Sequence, residues 1–182
     1  MKRVNDFSEW MNRKYKTTYL VISLIIFTLF MIAVLPNVSE TTKEITGTNI
    51  SPDTSFFYTS QKLYDIAESY GEAGRAYYIR SRFSFDIVWP IVYLFFLVTM
   101  MTFLFNSSLH LIPFLGVFFD FLENLGASYV MFRYPLDTGF IATITPIFTL
   151  LKWIFIYISF GLILAGLVRL IYCKLLMEFK KK

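Results

Sequence analysis

Residues 109–132 read LHLIPFLGVFFDFLENLGASYVMF, a run in which only Asp120 and Glu123 carry a formal charge. About 20 apolar residues in a helix cross the ~30 Å hydrocarbon core of a bilayer, so this stretch predicts a membrane span. The two carboxylates depart from that pattern. A charge at bilayer depth costs about 2.5–3.5 kcal/mol on insertion scales, and it persists where it faces a bundle interior or a wet cavity. Gly116, Asp120, Glu123, Asn124 and Ala127 recur at spacings of three and four, which puts them on one helix face. Gly116 and Ala127 are small and admit a close neighbour. That face is therefore expected to point inward.

Three more apolar runs lie around this one: Tyr19 to Leu35, ended by Pro36; Ile87 to Phe105; and Phe140 to about Tyr172. The 182 residues are 56% hydrophobic and 16% charged, against about 25% charged in soluble domains. The length suits one compact bundle without a separate soluble domain. The expected fold is all-α, a single domain built as a four-transmembrane-helix bundle, with spans at about 19–36, 86–106, 109–132 and 140–172. Lys2, Arg3, Arg13, Lys14 and Lys16 precede the first run. Its apolar core exceeds the usual 7–15 residues of a signal peptide and no small-x-small cleavage pattern follows, so it is expected to be a retained anchor.

Lysine and arginine set the orientation. Five bases precede the first span, and Arg169, Lys174, Lys180, Lys181 and Lys182 follow the core of the last. The Asn106–Leu109 turn has none, and the 133–139 turn has only Arg133. Both termini are expected in the cytoplasm of a multi-pass cell-membrane protein, with the first loop outside. The net charge of +4 is concentrated at the ends and reads as cytoplasmic anchoring, not as a nucleic-acid footprint. Membrane lipids are the expected partners, along with a second copy of the chain or another member of a membrane complex.

In the first loop, residues 37–50 are rich in Thr, Ser and Asn and read as a tether. Ser51-Pro52-Asp53 reads as a helix start, with Ser51 as cap and Pro52 in the first turn. An amphipathic helix over about 52–71 follows, with Leu63, Ala67 and Tyr70 as its apolar stripe. It is expected to lie on the outer surface or to cap the bundle mouth, its aromatic residues acting as interface anchors. Three Asn-x-Ser tripeptides, at Asn37, Asn49 and Asn106, are short enough to arise by chance.

Thr145, Thr149, Lys152 and Trp153 form a polar stripe on the last span. At 1.5 Å per residue, Lys152 lies roughly 18 Å from its start, and Asp120 lies roughly 16 Å along the preceding span. Side chains lean toward their helix N-terminus, so in antiparallel helices Lys152 and the two acids lean toward each other. A bridge from Lys152 to Glu123 or Asp120 is expected. Asp86 begins the second span, and Pro90 four residues on frees the carbonyl of residue 86. Arg75 is its expected partner, with Trp89 and Tyr93 nearby. Three carboxylates against Lys152 and Arg75 leave one surplus negative charge. A raised carboxyl pKa is expected to absorb it in preference to Ca²⁺ or Mg²⁺, which want more oxygen ligands.

One Cys and one His offer neither a disulfide nor a zinc site, so no metal and no cofactor are expected. His110 reads as an interface residue, and Gly161 and Gly166 as points of close helix packing. The residues before Asp86 and Asp120 do not match the Tyr-Asp and Gly-x-Gly-Asp pair of intramembrane aspartyl proteases.

From Tyr70 onward the chain resembles a family of small bacterial four-helix integral membrane proteins. The resemblance rests on Tyr70-Gly71, Gly74-Arg75 with Tyr78, Asp86 with Pro90 and Tyr93, and Asp120 with Glu123-Asn124. Tyr134-Pro135 and Phe148-Thr149 with Lys152-Trp153 complete it. It implies a bacterial cytoplasmic membrane and no particular activity.

Three roles fit these residues. The charges fix helix register; or they serve an enzyme acting on an outer-leaflet lipid or isoprenoid; or a carboxyl acts as a relay in a proton-coupled transporter. In the enzyme, Glu123 or Asp120 is the acid/base, and Asp86, Asn124, Lys152, Trp153, Arg75 and Tyr78 line the binding site.

Overall fold

A computed structural model describes residues 2–105 and 107–179, without the side chains of residues 2–4 and 179. Asn106, the first residue of its tripeptide, and the terminal bases 180–182 lie outside the described residues. Four helical stretches are long and apolar enough to cross a membrane: Thr17–Thr46, Gly71–Leu104, Ser108–Arg133 and Phe140–Glu178. Ile25, Ile32, Ile91, Phe118, Leu125, Leu164 and Val168 project from them, more than half exposed. An apolar surface of this extent fits a membrane protein.

A short helix, α1 (Lys2–Lys14), precedes the first span. That span runs as α2 (Thr17–Leu29), a π turn (Phe30–Val34) and α3 (Leu35–Thr46) without a break. The expected stop at Pro36 does not occur. The proline ring would collide with the carbonyl four residues back; in the π turn the N–H of Leu35 bonds instead to the Phe30 carbonyl, five back. The extra residue makes room for the ring. The supposed tether is therefore helical as far as Thr46, where Gly47 at φ 71° ends it in a left-handed cap.

Ser51-Pro52-Asp53 does not start a helix. Residues 51–59 are irregular, and α4 (Ser60–Ser69) begins behind Thr59, whose Oγ1 accepts the Lys62 N–H at 3.2 Å. The local cap signal is overridden because this segment is drawn into the bundle: Pro52 and Tyr58 are buried, and Tyr58 Oη shares a hydrogen bond with Thr149 Oγ1 at 3.0 Å. Irregular backbone is tolerated at such a place when protein surrounds it. The stripe Leu63, Ala67 and Tyr70 is buried as expected, against Val130, Met131 and Ala142, so α4 caps the bundle. Tyr70, among the aromatic residues expected as interface anchors, belongs to this core, and Tyr78 packs in it too.

Next come α5 (Gly71–Arg82) and α6 (Phe85–Leu104), then a 3-10 turn (Ser108–Leu111), α7 (Ile112–Arg133) and α8 (Phe140–Phe179). Short turns make α6, α7 and α8 antiparallel. At one end, Tyr64 of α4 bonds Thr138 in the α7–α8 turn at 2.8 Å. At the other, Phe7 of α1 meets Phe114 edge to face, and Gly166 of α8 lies against Leu104 and Phe105. Glycines set the spacing: a Cβ at Gly116 would be 3.3 Å from Ile156 Cγ1, and one at Gly126 would collide with Thr145 Oγ1. Gly161, expected at a contact, faces open space. His110, expected at the interface, is fully buried, and neither ring nitrogen has a partner among the described residues.

The first span is attached by a narrow seam. Ser23 is the buried residue of α2, and it shares a hydrogen bond with Thr99 of α6 at 2.7 Å. Phe27 stacks on Phe96, with ring centroids 4.3 Å apart.

Candidate functional site

Lys152 sits on α8 at the centre of a group of carboxylates, its side chain 2% exposed. Its Nζ lies 2.5 Å from Glu123 Oε2 and 3.7 Å from Asp120 Oδ1, so the expected bridge forms with both acids of α7. A third carboxylate, Asp53 Oδ1, pairs with the same ammonium. Spacing predicts the α7 face well: Gly116, Asp120, Glu123, Asn124 and Ala127 are all buried. On α8, Thr145 and Thr149 are fully buried beside Lys152.

A second cation, Arg82, lies close by. Its Nε is 3.2 Å from Asp86 Oδ2 and its Nη1 is 3.7 Å from Asp53 Oδ1. Asp53 thus links the two cations. Burial opposes its charge, but the Lys152 ammonium and the Arg82 guanidinium prevail and hold its carboxyl down at about 2. Arg82 also lies over the Tyr78 ring, 4.4 Å from the centroid, and its Nη1 donates to Asn124 Oδ1 at 3.3 Å.

Arg75, expected beside Asp86, is elsewhere. Its Nη1 donates to the Ala67 carbonyl at 3.0 Å and its guanidinium lies 4.7 Å from the Tyr134 centroid, tying α5 to α4 and to the α7–α8 turn. The i, i+4 spacing of Arg82 and Asp86 was the available signal for the correct pairing. Asp53 had no such signal, being 99 residues from its partner. Taking in Asp53 and Arg82 and leaving out Arg75 changes the count: four carboxylates now face two cations.

Pro90 has the expected effect. The carbonyl of Asp86 is freed from the helix, and Asn124 Nδ2 donates to it at 3.4 Å. Tyr93 Oη donates to Asp120 Oδ2 at 2.8 Å, and Trp153 Nε1 donates to the Asp53 carbonyl at 3.1 Å. Of the expected binding residues, Asp86, Asn124, Lys152 and Trp153 therefore converge. Tyr78 adjoins them through Arg82, its hydroxyl without a partner among the described residues. Glu123 Oε1 is likewise unpartnered.

Asp53, Asp120 and Glu123 each bring a carboxylate oxygen within 4.8 Å of the others, a spacing that could hold a metal ion. Lys152 Nζ already pairs with all three. A divalent ion would have to displace it.

Beside the cluster is a cavity of about 310 Å³, at the small end of the range for ligand pockets. Asp53, Asp86, Asp120 and Lys152 form one end, with Trp89, Tyr93 and Trp153 around them. Phe27, Met31 and Leu35 of the first span and Ile156 and Phe160 of α8 form the other. Met31 and Phe160 are 48% and 37% exposed, which marks the mouth between the first and last spans. The site is polar at its floor and apolar along its walls.

Comparison with protein families, with curated proteins and with solved structures finds no match to the chain.

Proposed function

We propose that this is a multi-pass protein of a bacterial cytoplasmic membrane that takes the chain of an amphiphile into the cavity between its first and last spans. The charged cluster fixes the bundle and forms the polar floor. One observation carries this reading: ionisable side chains and a wall of apolar side chains line the same cavity, whose rim residues are exposed and apolar. A cluster serving helix register alone needs no such space. The bacterial setting rests on the family resemblance of the sequence. Arg13, Lys14 and Lys16 at one end of the bundle, with Arg169 and Lys174, put both termini in the cytoplasm by the positive-inside rule. The cavity then serves the outer leaflet.

The test is chemical. Protein purified in mild detergent and extracted with solvent should carry one lipid species enriched over the bulk membrane extract. Met31→Trp, which fills the mouth without touching a charge, should lose that enrichment. Equal recovery from both proteins overturns the reading.

An intramembrane enzyme is the second reading, and the Tyr93–Asp120 hydrogen bond in the cavity wall favours it. In that case Asp120, which lines the cavity, exchanges the proton, while Glu123 is held behind it on Lys152.

A further inference from the structure

The floor of the cavity tells which kind of head group fits. Both cations there are taken: Lys152 by Asp53, Asp120 and Glu123, and Arg82 by Asp53 and Asp86. Neither is left to meet a phosphate. The spare capacity belongs to acceptors. Asp86 is 5% exposed and lines the cavity; its Oδ2 accepts from Ser81 Oγ and forms an ion pair with Arg82, while its Oδ1 has no partner among the described residues. Asp53 is in the same position, its bonds made through Oδ1 and its carbonyl. Ionised carboxylates only accept hydrogen bonds, so a ligand must supply the donors.

Charge points the same way. With every group ionised, four carboxylates against two cations leave the floor short of two positive charges. The wall around it is aromatic: Trp89 and Tyr93 meet edge to face at 5.7 Å, and Trp153 already has the Lys152 ammonium 5.3 Å from its ring. Aromatic faces attract ammonium groups through the ring quadrupole, and more strongly where water is excluded. Resting on the amphiphile reading above, we propose that the cavity selects an amphiphile with an ammonium head group, held by Asp86 and Asp53 among Trp89, Tyr93 and Trp153.

Trp10 lies at the opposite end of the bundle, so in a Trp10→Phe protein the fluorescence comes from the two cavity tryptophans. That protein, in nonionic detergent at neutral pH, is titrated with octylammonium, 1-octanol and octyl phosphate. Octylammonium should bind about tenfold or more tighter than octanol, and octyl phosphate weakest of the three. Asp86→Asn should bring octylammonium and octanol close to parity. Should that variant fail to fold, Thr54→Lys places a cation at the floor without removing a carboxylate, and should reverse the order of octylammonium and octyl phosphate. If octanol or octyl phosphate binds as well as octylammonium, the head-group assignment is wrong and the amphiphile reading stands. If none of the three binds, both fall.

Discussion

Lys152 is the residue on which most of the others depend. A lone ammonium would be costly in a bundle interior; this one is shared by three carboxylates. Removing one member of a buried pair leaves the rest uncompensated, at about 3–5 kcal/mol. Lys152→Met should lower the melting temperature in detergent markedly, and adding Glu123→Gln should restore part of it. An unchanged melting curve for the single variant would mean the cluster holds nothing together. Asp53 gives a second measurement, in pH. Its folded value of about 2 is below the ~3.9 of an unfolded aspartate. Its contribution to stability is therefore complete above about pH 4 and is lost as the pH falls toward 2. The difference in stability between wild type and Asp53→Asn should shrink across that window. A constant difference would show that Asp53 does not act through its charge.

At the scale of elements, α7 and α8 make the closest contact in the molecule, and glycine permits it. A methyl at Gly126 would strike Thr145 Oγ1, and such overpacking costs about 1–3 kcal/mol. Gly126→Ala should destabilise by that order, and Thr145→Ala in the same chain should recover most of the loss; additivity of the two effects in thermal melts would argue against the contact. The existence of these helices was legible because apolar length and three-and-four spacing are local properties. Where reading by rule went astray, a backbone adjustment or a non-local interaction prevailed. Pro36 announces a helix end, yet a π turn carries the helix past it. Ser51-Pro52 announces a helix start, yet residues 53 and 58 are held inward by Lys152 and Thr149 in an irregular segment.

The whole molecule is tied at one place. The cluster joins the irregular segment after α3 to α5, α6, α7 and α8 through Asp53, Arg82, Asp86, Asn124 and Lys152. Four of its six charged members could be read from the sequence, since Asp86, Asp120, Glu123 and Lys152 declare themselves by being charged within apolar runs. Asp53 and Arg82 do not, because they lie in polar stretches where charge is unremarkable. Their role comes only from being brought to the apolar ones.

The order in which the chain leaves the ribosome gives this arrangement a consequence for biogenesis. Asp120 and Glu123 emerge well before Lys152, so the third span must wait at the translocon with two acids and no counter-ion of its own. Until the last helix arrives, the half-made protein can offer that face Tyr93 and Arg82, through Asp120 and Asn124.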